Sequence, residues 1–146
     1  ECAEQGMSFD EVVSTVSEFR DGMRTYFVLE TLETLRKNGR LTNLQALLAN
    51  VLSIKPVMSA KDGEIIKLEQ TRGINKALKR MCEIILENVK EPQNKILAIS
   101  HCNCPERAEY VKGLLLDKCS FKDVVIVDTA GVATMYANDG GIVVAV

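Results

Sequence analysis

Ile96 to Val127 reads ILAISHCNCPERAEYVKGLLLDKCSFKDVVIV, and this stretch decides the fold class. Ile96 to Ser100 is a short continuous apolar run, the pattern of a strand buried on both faces. Pro105 suits the first position of a helix, where its missing N–H costs nothing. Ala108, Val111, Leu114 and Leu115 then recur at helical spacing. Val124 to Val127 is β-branched and reads as a second strand. Strand, helix and strand in this order predict a right-handed parallel crossover.

The rest of the chain adds antiparallel structure. Asp62-Gly63 is a hairpin turn signal between a strand at Ile54 to Ala60 and a return at Glu64 to Glu69. Pro56 makes the first of these an edge strand or a strand with an unpaired position. Thr25 to Leu29 reads as a further strand, and Leu32 to Lys37 as a short helix stopped by Asn38-Gly39. Ser8-Phe9-Asp10-Glu11 is a capping box. It predicts a helix from Phe9 to about Arg20, with Phe9, Val12, Val13, Val16 and Phe19 on one face. Thr42 to Gln45 is a second capping box, followed by an apolar stripe from Leu44 to Leu52. Ile74, Ala77, Leu78, Met81, Ile85 and Val89 mark a long amphipathic helix. The expected fold is α+β: a layered domain with a mixed, mainly antiparallel sheet covered by helices, one domain over residues 1–146.

Composition narrows the function. The chain has 146 residues, a mean hydropathy of +0.03 and a net charge of −2, with 18 Lys+Arg against 20 Asp+Glu. That balance, with no Trp, disfavours nucleic acid as a partner. No apolar run approaches the roughly 18 residues of a membrane span. Five cysteines without a framework spacing disfavour a secreted disulfide scaffold. His101-Cys102-Asn103-Cys104 is the one cluster with ligand chemistry. It lacks the second pair of ligands that a zinc site uses, so an ordinary strand-end histidine and reduced thiols are expected, with no metal. A thiol or metal enzyme centred on His101 and Cys104 is the weakest of the functional readings. No glycine-rich phosphate loop is present. Arg40 follows a turn directly and is placed to meet an anion or a local carboxylate. The basic positions Lys67, Arg72, Lys76, Lys79 and Arg80 are interrupted by Glu69, Glu83 and Glu87 and read as a solvated face or a small anionic-partner patch. The aliphatic load is the strongest signal, but composition does not separate pocket lining from core.

An ordered set of segments resembles the DegV family of bacterial fatty-acid-binding proteins. Thr25 to Leu41, TYFVLETLETLRKNGRL, is similar to the family's strand, short helix and GGRI-like turn, with Asn38 at the first glycine. LANVLSIKP at Leu48 to Pro56 is similar to its LLNIKP segment. Asp62-Gly63-Glu64-Ile65 and Thr71-Arg72-Gly73 follow in the family's order, and Tyr136 to Val144, YANDGGIVV, resembles its closing strand.

The resemblance implies a fatty-acid-binding role without catalysis, in the cytoplasm, with a long-chain fatty acid as ligand and no cofactor. It implies that these residues are the C-terminal domain of a two-domain protein. The protein's own N-terminal α/β domain, absent here, would hold the carboxylate with a Thr and a Ser, and this domain would supply the apolar wall. It further implies a partner, the catalytic subunit of a fatty acid kinase. Carried over by position, Arg40, Ile54, Pro56, Asn138 and Gly140 are expected at the lipid, and Arg72 and Lys76 at the partner. Where many relatives have a histidine near the last glycine-rich turn, this chain has Ala137. The alternative is a protein-interaction or regulatory domain that docks a kinase without binding lipid itself.

Overall fold

The computed structural model describes residues 1–41 and 53–146. The stripe from Leu44 to Leu52 and its capping box lie outside the described residues. The helix α1, Phe9–Gly22, begins at the anticipated capping box: Ser8 Oγ accepts from the Glu11 N–H, and the Glu11 carboxylate accepts from the Ser8 N–H at 2.8 Å. Hydrogen bonds from Ser8 hold the Glu11 carboxyl below its ordinary value. The strand β1, Thr25–Val28, and the short helix α2, Glu33–Lys37, follow. Next comes the hairpin of β2, Ile54–Lys61, and β3, Glu64–Arg72. Asp62 and Gly63 both have positive φ, 52° and 81°, as a tight primed turn requires. Then come α3, Ile74–Asn88, β4, Ile96–His101, α4, Pro105–Leu116, and β5, Asp123–Asp128. A short helix α5, Gly131–Ala137, leads into β6, Ile142–Ala145.

The strands form one sheet in the order β3-β2-β1-β6-β4-β5. Only β4 and β5 pair in parallel, through the crossover helix α4; the other pairs are antiparallel. This is the mixed, mainly antiparallel α+β sheet that the sequence pattern calls for. Pro56 sits in an interior strand and not at an edge. Its strand tolerates it because β1 reaches only Met58 and Ser59, so Pro56 is laddered to β3 alone, just before a bulge at Val57/Met58.

Alternation along the strands gives the sheet two unlike faces. One face carries Tyr26, Val28, Val57, Leu97, Ile99, Ile142 and Val144, packed under α3 and α4 around Leu78, Met81, Ile85, Val111 and Leu115. The other carries Phe27, Leu29, Met58 and Ile65, on which α2 and α5 rest through Leu35 and Ala137. The helix α1 buries no residue: Phe9, Val13, Val16 and Phe19 are all exposed. The C-terminal end of its periodic stripe, Phe19, only borders an open pocket with Ile96, Ala98 and Val146 at the edge of the sheet, which the chain joins at the Arg24–Val146 pair.

Candidate functional site

The second face of the sheet holds an apolar cleft of about 370 Å³, within the range of about 300–1,000 Å³ typical of small-molecule sites. Its floor is Thr25 and Phe27 of β1, Leu29 just beyond that strand, and Val143 of β6. Phe27 and Val143 are direct partners in the β1–β6 ladder, so the floor is one continuous surface. One wall is the tip of the β2–β3 hairpin, Gly63 and Ile65, and the other is α5, through Ala133, Tyr136 and Ala137. Leu35 of α2 and Arg40 close one end.

Arg40 is the charged residue of the lining. The α2 terminus sets its place: Gly39 takes φ +67°, and the Arg40 N–H donates to the Leu35 carbonyl at 2.9 Å. The guanidinium is exposed and has no hydrogen-bond or ion-pair partner among the described residues. An apolar trough lined by a cation that has no partner among the described residues is chemistry suited to a carboxylate-headed aliphatic ligand.

A polar network stands behind the end of β1. Glu30 receives Lys55 Nζ at 2.7 Å and Arg107 Nη2 at 2.6 Å. Burial pushes the Glu30 carboxyl up, but the hydrogen bonds and charges of Lys55 and Arg107 outweigh it and hold the group below its ordinary value. Arg107 Nη1 also donates to the Gly140 carbonyl at 2.7 Å. Gly140 has φ +82°, and a Cβ there would lie 2.5 Å from Arg107 Nη1 and 2.9 Å from Glu30 Cγ. Two residues earlier, Asn138 adopts φ 56° and ψ 169°, a region that strongly favours glycine. Its side chain is held on both sides: Oδ1 accepts from Thr34 Oγ1 at 3.0 Å, and Nδ2 donates to the Tyr136 carbonyl.

The structure brings together some of the residues expected from sequence. Arg40 lines the cleft. Asn138 and Gly140 form the turn that ends the α5 wall. Ile54 and Pro56 lie at the opposite end of the hairpin, where Ile54 pairs with Arg72. Arg72 and Lys76 are exposed there, Arg72 being seven residues beyond Ile65, roughly 23 Å along β3. The residues that sequence reasoning missed are the lining itself, Phe27, Leu29, Ile65, Tyr136 and Val143, and the Glu30–Arg107 pair. Period-2 alternation marks the first group as sheet residues, without saying which face stays open.

His101 is buried. Its Nδ1 accepts from the Cys104 N–H at 3.4 Å and lies 3.4 Å from Asp128. This is the ordinary strand-end histidine that the sequence leads one to expect, bonded to a backbone N–H. Burial raises the Cys104 thiol and pushes the Cys82 thiol up to about 12, which disfavours the thiolate form. All five cysteines are free, and no three His, Cys, Asp or Glu side chains converge among the described residues.

The sequence model described as "Uncharacterised protein, DegV family" matches residues 1–146. The chain belongs to the DegV family. It is similar to a DegV domain-containing protein of Streptococcus pyogenes, 34% identical over 139 residues, which are 94% of this chain and 49% of that protein. Among solved structures it is similar to a DegV family protein from Ruminococcus gnavus refined with vaccenic acid. That match has 49% identity and a TM-score of 0.94, and covers 99% of this chain and 52% of that one. It is also similar to a fatty-acid-binding DegV family protein from Streptococcus agalactiae, at 32% identity and a TM-score of 0.85, covering 99% and 51%. The chain thus spans about half the length of these relatives. Within this DegV chain, Asn38 stands in the turn ahead of Arg40 at no backbone cost. Its φ is −94°, and Gly39 alone takes the left-handed conformation. No helix among the described residues is long and apolar enough to cross a membrane.

Proposed function

We propose that this chain is the acyl-chain-holding, C-terminal domain of a two-domain DegV protein that binds a long-chain fatty acid and presents it to the catalytic subunit of a fatty acid kinase. The observation that carries the reading is the open apolar cleft lined by Arg40, which has no ion-pair partner among the described residues. The vaccenic acid of the Ruminococcus gnavus protein and the fatty-acid binding of the Streptococcus agalactiae protein support it from relatives of the same fold.

In this reading the acyl chain lies on Phe27 and Val143 between α5 and the hairpin tip. Each buried methylene contributes about 0.8 kcal/mol, so chain length dominates affinity. Arg40 stands at the head-group end, and Asn138 and Gly140 shape the adjoining turn. Ile54 and Pro56 belong to the proposed lipid contacts through their end of the β2–β3 hairpin. A separate N-terminal domain covers the cleft and supplies the remaining head-group donors. The domain is a non-catalytic carrier, its ligand is its only small molecule, and it works in the cytoplasm, where free thiols persist. Arg72 and Lys76 face the kinase subunit.

A second reading, a kinase-docking regulatory domain without lipid, is favoured only by Arg72 and Lys76, which are exposed and without ion-pair partners among the described residues. Mass spectrometry of ligand extracted from the full-length protein separates the two. A stoichiometric fatty acid is expected, and repeated absence of any acyl ligand contradicts the first reading. Charge reversal at Arg72 and Lys76 tests the partner face: kinase binding weakens, or the face is merely solvated.

A further inference from the structure

We propose that Arg107 is a positioning residue which, with Glu30 and Lys55, fixes α5 as a wall of the cleft and so sets which acyl shapes fit. This rests on the fatty-acid reading given above. The helix α5 supplies three lining residues, Ala133, Tyr136 and Ala137, yet only Ala137 is buried. Packing alone therefore holds it weakly. Its C-terminal end is where the polar bonds gather. Arg107, in the first turn of α4, reaches the Gly140 carbonyl with one nitrogen and Glu30 with another. Lys55 of β2 grips the same Glu30 through both its carboxylate and its backbone carbonyl, the latter at 2.6 Å. The three side chains are 24%, 32% and 15% exposed for Arg107, Glu30 and Lys55.

Partly buried ion pairs of this kind add little net stability over apolar substitutes; their best-attested use is to specify one arrangement. Here the arrangement fixed is the distance of the α5 turn from the end of β1, which is the floor of the cleft. Gly140 fits the role, since a side chain there would displace Arg107 and Glu30 alike. None of the three charged residues lines the cleft, so they act through α5 and not on the ligand.

The test compares wild type, Arg107→Met, Arg107→Lys and Glu30→Gln in the full-length protein. The probes are straight heptadecanoic acid and kinked vaccenic acid. The affinity ratio between the two probes is expected to change about fivefold in Arg107→Met and Glu30→Gln and to return partly in Arg107→Lys, whereas a ratio constant within about twofold overturns the proposal. A parallel loss of both affinities also overturns it, because that is what a merely structural role produces. Amide exchange gives a readout independent of ligand. It should quicken at Tyr136 to Gly140 and stay unchanged in α3, and unchanged exchange at the turn removes the clamp. If wild type binds neither acid, the functional reading fails and the selectivity claim falls with it, while the exchange result still decides whether the clamp exists.

Discussion

Two neighbouring rows of the sheet are built from similar residues and meet opposite fates. Tyr26, Val144, Ile99 and Ile126 stand side by side across β1, β6, β4 and β5; one residue along, so do Phe27, Val143, Ser100 and Val127. The first row lies under α3 and α4, with Tyr26 6% exposed and Val144 and Ile99 fully buried. The second points to the other face, where Val127 is 49% exposed and Phe27 and Val143 floor the cleft. Apolar character alone does not make a core residue. What decides, among the described residues, is how fully helices cover that face: the long α3 and α4 close the first row, while the short α2 and α5 leave part of the second open. The closed row serves folding, and the open row is free to serve a ligand.

The contrast breaks most visibly in stability. Ile99→Ala should cost about 2–5 kcal/mol in urea unfolding, while Val127→Ala one strand away should stay within about 0.5 kcal/mol. Equal costs would mean that both faces are core. Ligand binding sharpens the same contrast from the other side. A carboxylate on the cleft floor must be desolvated beside an apolar chain, so Val143→Asp should lower affinity for vaccenic acid at least about tenfold, or about 1.4 kcal/mol, in the full-length protein. Retained affinity would remove the floor from the site.

The polar edge of the open face should titrate. Glu30 is a carboxylate held below its unfolded value, so the unfolded chain binds more protons between the two values. Its stabilisation is present above the unfolded value of roughly 4.3 and is lost as pH falls through the folded value. Glu30→Gln should therefore lower stability by about 1–2 kcal/mol at neutral pH and make the acid-side decline shallower, as followed by urea unfolding across pH. An unchanged acid limb would show that the pairs contribute nothing. The smallest effect belongs to Arg40: Arg40→Gln should leave stability within about 0.5 kcal/mol and weaken vaccenic acid binding a few-fold, measured by calorimetry.

Much of the fold was legible because its signals are local. The Ser8–Glu11 capping box, the Asp62-Gly63 turn and the strand–helix–strand run from Ile96 are each written in adjacent residues. The resemblance to DegV proteins pointed to Arg40 through the Asn38-Gly39-Arg40 turn. The open face was not legible to the same degree. The helix α5 is seven residues long with no side-chain cap, too short to show a period against its neighbours. The Arg107–Glu30 pair joins residues 77 apart, and no local pattern announces such a contact. The stripe of α1 has a core-like period yet buries no residue, since periodicity reports an apolar face and not its partner.

The central claim is that the acyl chain lies on the open face. Intermolecular NOEs between vaccenic acid and methyl-labelled full-length protein test it most directly. Contacts to Leu29, Ile65 and Val143, with none to Leu97, Ile99 or Ile142, are what the two-faced sheet predicts. Bound ligand that shows contacts only to the second set, or to neither, would contradict it.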